Sequence, residues 1–538
     1  MVNRERRWVA IWTAALVILL GWPVLWGWLN PPEGWQLYRS WAYGGDYTQY
    51  RSAMEQGHAG AWLIVDRFTP EPHAPILQYP LYVTLGHAAR WLHLPPEAPY
   101  ALASVAAIIA LAFALYAFAA AFLPETRDRK LAFLLALSVG PAWLISVIQA
   151  LLPAATFLNR YRNAFNRPEV NTFLLFGAAP HLSLALALLL LSLVRVRQWQ
   201  KSDSQRPRNL LNLLIYALLL GLLNPFSLPT LLAPPGLWWL IRSLRARRIL
   251  WREALPLLVM GLAALPLVAY NFWSFSRDPF WGRAYGSQNY QISFPPDVVL
   301  MGYGVMGLLA IAGAIWLWRN AYDRRTLILW TVVVLLLGYI PVNYQRRFSL
   351  GLAPALATLA VAGWREAARS RRVRALRRRM LTRVPSRALL ILLLWGQNLM
   401  FYAAYVGSYL GVGTTPRAVF QPRALAEAAT YLDGQGENVV VLTCEDLGNL
   451  LAGEIRGRVV LGHAGATLDV ERRREAIPKF FAGALSPEEQ AALVQRYGAS
   501  HILTADVETL ECGPNFAPGP AWSLKFDREG IKIYARNR

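Results

Sequence analysis

The sequence is poor in cysteine and acidic residues, and it lacks two motifs common in nucleotide and acyl chemistry. Its 538 residues include two cysteines, and 54 lysines and arginines outnumber 32 aspartates and glutamates, giving a formal net charge of +22. Neither a P-loop nor a GxSxG turn occurs. Their absence disfavours nucleotide-driven transport and serine hydrolysis as the activity.

Long hydrophobic runs are abundant instead. Hydrophobic residues make up 55% of the chain, and runs such as 8–29 and 184–194 contain no charged residue. A segment of about 20 apolar residues crosses a bilayer as a helix, because only a helix satisfies its own backbone hydrogen bonds in lipid. The sequence therefore predicts a polytopic membrane protein of mainly α fold, built as a bundle of transmembrane helices.

The excess positive charge lies mainly between the hydrophobic runs. This pattern follows the positive-inside rule of membrane proteins, and it argues against nucleic acid as the partner of the basic residues. The longest basic run also suits contact with anionic membrane lipids. The excess of arginine over lysine is typical of a GC-rich genome and indicates a bacterial plasma membrane. The basic segments are 4–7, 125–130, 195–201, 242–248 and 364–387.

The order of hydrophobic and basic segments predicts about eleven transmembrane helices, with the N-terminus in the cytoplasm. Residues 1–411 then form the transmembrane domain, and the loop 30–98 after the first helix lies outside the cytoplasm. The first run is interpreted as a retained helix, because no clear small-residue cleavage site accompanies it. The predicted helices span 8–29, 99–123, 131–153, 172–194, 209–223, 226–241, 254–275, 298–318, 326–342, 349–364 and 388–411.

Residues 412–538 have a different character, in which strand and helix patterns alternate. This alternation predicts a small α/β domain, placed outside the cytoplasm by the topology. Both cysteines, Cys444 and Cys512, fall in it, and either two buried thiols or a disulfide between them fits that compartment. The predicted strands are 439–444, 501–505 and 531–535, and a helix over 485–498 is capped by Ser486.

The polar stretch 44–85 is the candidate active-site loop. Asp46 follows two glycines soon after the first helix. A carboxylate near the membrane surface suits a general base that activates an acceptor hydroxyl or amine. The alternative interpretation is structural, with Asp46 as the N-cap of a helix that begins at Thr48.

Glu71 and His73 are candidate metal ligands in the proline-rich segment TPEPHAP. In an extended chain, positions i and i+2 point to the same side, so the two could share a divalent metal with Asp46 or Asp66. A divalent ion is thus a candidate cofactor. Ordinary loop hydrogen bonding is the alternative.

Two groups of arginines are candidate phosphate ligands. Arg346 and Arg347 fall in a short turn predicted to be external, where the positive-inside rule disfavours arginine. Paired guanidinium groups suit bidentate contact with phosphate, although they also suit lipid headgroups. Arg160, Arg162 and Arg167 form a second external cluster with the same two interpretations.

Aromatic residues are candidates for binding a sugar or lipid. Trp281, Tyr285 and Tyr290 lie in a predicted external loop and could line a groove. An aromatic belt at the membrane interface is the alternative.

The loop resembles that of the GT-C superfamily of integral membrane glycosyltransferases. There, a catalytic aspartate lies in a large external loop after helix 1, followed by short juxtamembrane helices and often a tyrosine–proline element. Residues 44–57 (GGDYTQYRSAMEQG) and 77–90 (LQYPLYVTLGHAAR) are similar to that arrangement. The resemblance implies that Asp46 is catalytic. Tyr50, Tyr79 and Tyr290 are candidate substrate contacts. The nearest branches are the RgtA/B/C/D-like and aminoarabinose-transferase-like proteins.

The resemblance also implies a polyprenyl-phosphate-linked sugar as donor, with the phosphate held by residues such as Arg346 or Arg347. Our hypothesis is an inverting glycosyltransferase that acts on an extracytoplasmic lipid, glycan or protein acceptor. One alternative is a transporter or flippase of lipid-linked glycans. The other is a non-catalytic GT-C-like scaffold whose C-terminal domain binds a partner.

Overall fold

The protein is mainly helical, with a sheet near its C-terminus. The structure, a computed structural model, describes residues 2–38, 44–138, 148–149, 151–152, 156, 159–162, 167–201, 207–288, 290–369, 386–412, 419–507 and 510–537. The earlier helices, with one short strand β1 (Trp35–Leu37), are α1 (Asn3–Leu29), α2 (Gly44–His58), α3 (Pro80–Leu92), α4 (Glu97–Phe122), α5 (Thr126–Ala136), α6 (Asn159–Arg162), α7 (Thr172–Gly177), α8 (Pro180–Lys201), α9 (Pro207–Leu223), α10 (Ser227–Ala246), α11 (Trp251–Arg277), α12 (Pro279–Gln288), α13 (Pro296–Asn320), α14 (Arg325–Leu337), α15 (Leu352–Ala367) and α16 (Ser386–Leu410).

Strands and helices alternate after residue 419. These elements are β2 (Phe420–Pro422), α17 (Arg423–Asp433), β3 (Val440–Leu442), α18 (Glu445–Ala452), β4 (Arg458–Val459), α19 (Val470–Phe481), α20 (Pro487–Tyr497), β5 (His501–Ala505), β6 (Trp522–Arg528) and β7 (Ile531–Arg536). The predicted α/β character of this region is confirmed.

Six helices in the described part of the chain are long and apolar enough to cross a membrane. Such helices need about 20 apolar residues to span the hydrocarbon layer, so the polytopic character predicted from hydropathy is confirmed. The count of eleven crossings is not confirmed and stays a prediction. The six candidate spans are Asn3–Leu29, Glu97–Phe122, Pro180–Gln200, Trp251–Arg277, Pro296–Asn320 and Gln345–Ala367.

Two of the predicted helices differ from the observed ones. The predicted helix 172–194 is divided into α7 and α8, because Pro180 begins the second helix and Ala178 leaves helical backbone angles. A proline lacks the N–H needed inside a helix but is well suited to its first turn. The predicted helix 131–153 is described only in part, with α5 ending at Ala136.

The chain divides into two compact units. The helical unit contains Met1–Leu20, Ala103–Tyr270 and Gln291–Ala403, and the mixed unit contains Gly21–Leu102, Asn271–Tyr290 and Ala404–Arg538. The predicted boundary at residue 411 separated the loop 30–98 from the C-terminal segment, whereas this division places both in the mixed unit.

Small residues bring helices of the helical unit into backbone contact. A Cβ added at Gly313 of α13 would lie 1.9 Å from the carbonyl oxygen of Leu359 in α15. A Cβ at Gly363 of α15 would likewise lie 2.0 Å from the carbonyl oxygen of Leu309. Only glycine permits this approach, which is typical of helix pairs in membrane proteins.

The mixed unit is organised by a five-stranded sheet in the order β4-β3-β5-β7-β6. β3 runs parallel to β4 and β5, whereas β7 is antiparallel to β5 and β6. A separate antiparallel pair joins β1, directly after the first long helix, to β2. Cys444 and Cys512 form a disulfide beside the sheet. Ser486 caps α20 as predicted, in a capping box with Glu489.

Candidate functional site

Asp46 lies in the first turn of α2, which begins at Gly44. The aspartate is therefore inside the helix rather than at the N-cap position that the structural interpretation assigned to it. A carboxylate in the first turn is stabilised by the positive end of the helix dipole. The side chain is 46% exposed, so a bound molecule can reach it.

Backbone contacts hold α2 rigidly against α3. A Cβ added at Gly57 of α2 would lie 2.3 Å from the carbonyl oxygen of Val83, and one at Gly86 of α3 would lie 2.1 Å from that of Met54. Tyr50 stacks on Tyr82 with ring centroids 4.3 Å apart. Because these contacts are close-packed, the helix that carries Asp46 has a fixed position.

The C-terminal segment binds the same helix. Thr48 Oγ1, fully buried, lies 2.7 Å from Asn449 Oδ1 of α18. Arg51 pairs with Glu454 at 3.3 Å and with Glu97 at the start of α4. α2 is thus tied to two other parts of the mixed unit by its polar face.

A histidine from the C-terminal segment meets the candidate base directly. His463 Nε2 lies 3.0 Å from Asp46 Oδ1. On the other side of the ring, Nδ1 lies 3.1 Å from the backbone nitrogen of Gly465 and 2.7 Å from Gln49 Nε2. Gln49 Oε1 in turn accepts a hydrogen bond of 2.7 Å from Tyr79 Oη. The result is a continuous chain of hydrogen bonds from Asp46 to Tyr79.

Tyr79 reaches this chain from an unusual backbone conformation. Its φ of 53° and ψ of 48° are left-handed, at the position just before α3. Residues other than glycine, asparagine and aspartate seldom adopt these angles, which cost about 1–3 kcal/mol. Its ring also contacts Tyr50 at 5.5 Å. The predicted substrate contacts Tyr50 and Tyr79 therefore lie in the packed shell of α2 and α3.

The predicted metal ligands are engaged with protein groups. Glu71 pairs with Arg473, whose side chain is 1% exposed, and contacts Thr69. His73 accepts the Asp66 N–H at Nε2 (2.8 Å), while Nδ1 lies 2.8 Å from the carbonyl oxygen of Glu71. Burial lowers the pKa of His73 to about 4, so the ring is neutral and its Nδ1–H donates.

These residues do not fit a metal site in this arrangement. Both nitrogens of His73 are used, and its ring stacks on Phe280 with centroids 3.9 Å apart. Within the described ranges, no group of three or more His, Cys, Asp or Glu side chains is placed to hold a metal ion. The segment instead anchors the loop, since Trp281 donates to the carbonyl oxygen of Ala74 at 2.7 Å. The buried Trp281 does not line an open groove.

Asp66 gives the loop a pH-dependent stability. Burial raises the pKa of this carboxyl to about 7, although the Phe68 N–H and the nearby His463 act in the opposite direction. An unfolded aspartate titrates near pH 3.9. Between about pH 4 and pH 7 the folded state holds the proton and the unfolded state does not, so stability falls as the pH rises through this window.

We expect Asp66→Asn to reduce the dependence of stability on pH. The amide oxygen can still accept from the Phe68 N–H, which lies 2.8 Å from Asp66 Oδ1. Thermal unfolding of the detergent-solubilised protein should show a falling midpoint from pH 4 to pH 7 in the wild type, and a smaller change in the variant. Parallel profiles for the two proteins would show that Asp66 does not titrate in this range.

The predicted phosphate ligands Arg346 and Arg347 lie in a short 3₁₀ segment of the helical unit, Gln345–Ser349. Arg346 lies 3.7 Å from Glu169, and the guanidinium of Arg347 lies 4.7 Å from the centre of the Phe226 ring. The Nε atom of Arg347 is buried without a hydrogen-bond partner in the described structure. Stacked guanidinium groups of this kind retain their outer N–H donors for an anion.

The remaining predicted binding residues give little information about a binding site. Arg160 and Arg162 lie on α6, but their side chains, like that of Tyr285, are outside what the structure describes. Tyr290 is 66% exposed.

The sequence interpretation missed His463, Gln49, Asn449 and Arg473. A signal existed for one of them, because His463 lies between glycines directly after a hydrophobic strand pattern. The remaining three have no such signal, since polar residues at these spacings are common on helices.

The chain has structural neighbours among solved proteins. No protein-family model matches the chain, and no curated protein matches it. The oligosaccharyltransferase AglB from Archaeoglobus fulgidus, solved with an inhibitory peptide and a dolichol-phosphate, matches with a TM-score of 0.52 at 14% identity. That match covers 100% of this chain and 74% of AglB.

Two bacterial structures are also similar. The arabinofuranosyltransferase AftD from Mycobacteria matches with a TM-score of 0.53 at 16% identity, over 98% of this chain and 41% of AftD. ArnT from Cupriavidus metallidurans matches over 97% of this chain and 98% of its own at 13% identity, with a TM-score of 0.46. With its long apolar helices and mixed C-terminal sheet, the chain shares the fold of the oligosaccharyltransferase AglB and the arabinofuranosyltransferase AftD.

Proposed function

We propose that this protein is an inverting membrane glycosyltransferase that moves a sugar from a polyprenyl-phosphate donor to an extracytoplasmic acceptor. The observation that carries the proposal is the half-exposed Asp46, placed on a rigid helix of a GT-C fold and hydrogen-bonded to His463. The dolichol-phosphate bound to AglB supports a lipid-phosphate donor. The acceptor is a lipid, a glycan or a protein, and the site faces outward with the N-terminus in the cytoplasm.

Asp46 acts as the general base in this reaction. The carboxylate takes the proton of the acceptor hydroxyl or amine as that atom forms a bond to the anomeric carbon. The bond between the anomeric carbon and the phosphate oxygen breaks on the opposite face, which inverts the configuration. The electron pair leaves with polyprenyl phosphate, so charge appears on the lipid phosphate and needs stabilisation.

Arg346 and Arg347 are the residues proposed to supply that stabilisation. Guanidinium groups bind phosphate through two parallel N–H donors, which a lysine cannot reproduce. Arg160 and Arg162 form a second proposed contact with the donor phosphate. No step is assigned to a metal, because the donor atoms of Glu71 and His73 are engaged elsewhere.

We expect Arg347→Gln to raise the KM for the donor by about 10- to 100-fold, because a charge-assisted contact with phosphate is lost. kcat should change less. Arg369→Gln, at an exposed helix end of the same unit, is the matched control and should leave the KM unchanged. Steady-state kinetics with the donor varied would test this, and an unaltered KM for Arg347→Gln would remove the residue from the phosphate site.

The proposal is tested with purified protein in nanodiscs and a panel of polyprenyl-phosphate sugars. Release of free polyprenyl phosphate is followed for the wild type and for Asp46→Asn, with and without divalent metal ions or a chelator. Release by the wild type alone supports the transferase. Equal release by both proteins removes Asp46 from the mechanism, and a folded wild type that is inactive with every donor and acceptor tried contradicts the proposal and favours a transporter or a scaffold.

A further inference from the structure

His463 is held in place by the elements around it. It follows β4 in a segment where a Cβ added at Gly448 of α18 would lie 1.9 Å from the carbonyl oxygen of Leu461. Thr467 closes the same turn, because its hydroxyl accepts the Gly462 N–H at 3.1 Å and donates to the carbonyl oxygen of Phe68 at 2.8 Å. The His463 side chain is only 15% exposed. The ring therefore presents one fixed edge to Asp46.

The hydrogen bonds assign the tautomer of this ring. The Gly465 backbone N–H can only donate, so Nδ1, 3.1 Å away, must accept. Gln49 Nε2 donates to the same atom, an orientation that leaves Gln49 Oε1 to accept from Tyr79 Oη. With Nδ1 as the acceptor, the proton of a neutral imidazole lies on Nε2 and points to Asp46 Oδ1.

This tautomer gives His463 and Asp46 different roles. A histidine that removes a proton from substrate needs an unprotonated nitrogen open to it. In His463, Nε2 carries the proton and Nδ1 is covered by Gly465 and Gln49. The half-exposed Asp46 carboxylate is the group that an acceptor can reach.

We propose that His463 is the positioning residue of the active site, holding the Asp46 carboxylate in one rotamer through its Nε2–H and leaving proton removal to Asp46. The proposal rests on the proposed function. It adds that proton removal belongs to Asp46 on α2, whereas positioning belongs to His463 in the C-terminal segment. Gln49 and Tyr79 act behind His463 by fixing its tautomer. The Asp46 carboxylate is thus oriented by the Nε2–H of His463, which donates to Oδ1.

Titratable groups approach the pair from α2, from the loop and from the start of α3. Asp46 faces His463 from α2, Asp66 interacts with it electrostatically from the loop, and Tyr79 reaches it through Gln49 from the start of α3. A hydrogen bond donated to a carboxylate favours its charged form. Loss of the Nε2–H donor should therefore raise the pH at which Asp46 becomes an effective base.

The test uses two variants that differ in the position of the side-chain amide. His463→Gln can place an amide N–H near the position of Nε2, whereas His463→Asn is too short to do so. We expect His463→Asn to lower kcat about 10- to 100-fold with little change in the donor KM, and to move the acid limb of the pH–kcat profile upward by about one unit. His463→Gln should retain most of the wild-type kcat, and the acid limb of its pH–kcat profile should stay at the wild-type position.

The kinetic results distinguish a positioning role of His463 from a purely structural one. A fall in kcat for His463→Asn that follows the folded fraction, with an unmoved pH profile, would overturn the proposal. Equal loss in both variants together with an unmoved profile would also overturn it, because the Nε2 donor would then not matter.

A second measurement needs no turnover. Solid-state NMR of protein labelled with ¹⁵N-histidine in proteoliposomes, with the His463→Gln spectrum assigning the signal, should show the Nε2–H tautomer, and Asp46→Asn should shift it. The Nδ1–H tautomer, or no shift, would overturn the positioning role. A wild type that shows this contact but no transfer with any donor would overturn the proposed function instead, so the two failures are distinguishable.

Discussion

Asp46→Asn is expected to lower kcat by about 10²- to 10⁴-fold, the usual contribution of a general base. The amide is nearly isosteric with the carboxylate, and its oxygen can still accept the Nε2–H of His463, 3.0 Å away in the wild type. The helix and its contacts should therefore remain, while the proton acceptor is lost. Initial rates of polyprenyl phosphate release at saturating donor and acceptor measure the effect.

The matched control is Asp527→Asn, which makes the same chemical change at an exposed position on β6 of the same unit. It should leave kcat and both KM values unchanged. The donor KM of Asp46→Asn should stay within about threefold of the wild type, because removing a general base acts on the chemical step rather than on ground-state binding. A donor KM that rose in proportion to the loss of rate would place Asp46 in donor binding instead of catalysis.

Glu71→Ala is expected to destabilise the mixed unit by roughly 3 kcal/mol. The change leaves Arg473, 1% exposed, as a buried cation that still contacts the carbonyl oxygen of Val460 and the ring of Tyr497. Removal of one partner from a buried ion pair costs about 3–5 kcal/mol, and the lower end applies because Glu71 is 34% exposed. Chemical denaturation of the detergent-solubilised protein measures the difference.

Two further proteins make this prediction specific. Glu427→Ala removes a carboxylate whose pair with Arg528 is exposed, and it should cost less than about 1 kcal/mol. Glu71→Ala combined with Arg473→Met removes both charges and should recover most of the lost stability, because a buried pair can be replaced by apolar groups at little cost. Equal stability of the Glu71→Ala variant and the wild type would show that this pair does not anchor the loop.

The features that the sequence predicted correctly depend on local patterns. Hydropathy identified the long apolar helices, and the alternation of strands and helices after residue 419 identified β3, β5 and β7. The Ser486 cap was predicted from the residues at the start of this helix, and its partner Glu489 lies only three residues away. Asp46 was also selected from a local pattern, its place after the first helix and two glycines, and its catalytic role stays a prediction.

The candidate site itself depends on contacts between distant parts of the chain. Asp46 and His463 are 417 positions apart, and Glu71 and Arg473 are 402 apart. No local pattern encodes such pairs, because they form only when the loop meets the sheet. This explains why Glu71 and His73 were interpreted as metal ligands, since their partners Arg473 and Phe280 belong to other elements.

In the proposed site, Asp46 acts as the base and His463 acts through it. The measurement that tests this most directly is a double-mutant cycle on kcat with the wild type, Asp46→Asn, His463→Asn and the combined variant. Because the positioning residue has no role once the base is gone, the combined variant should be no slower than Asp46→Asn alone. Losses that multiply would show that the two residues act independently and would contradict the proposed roles of Asp46 and His463.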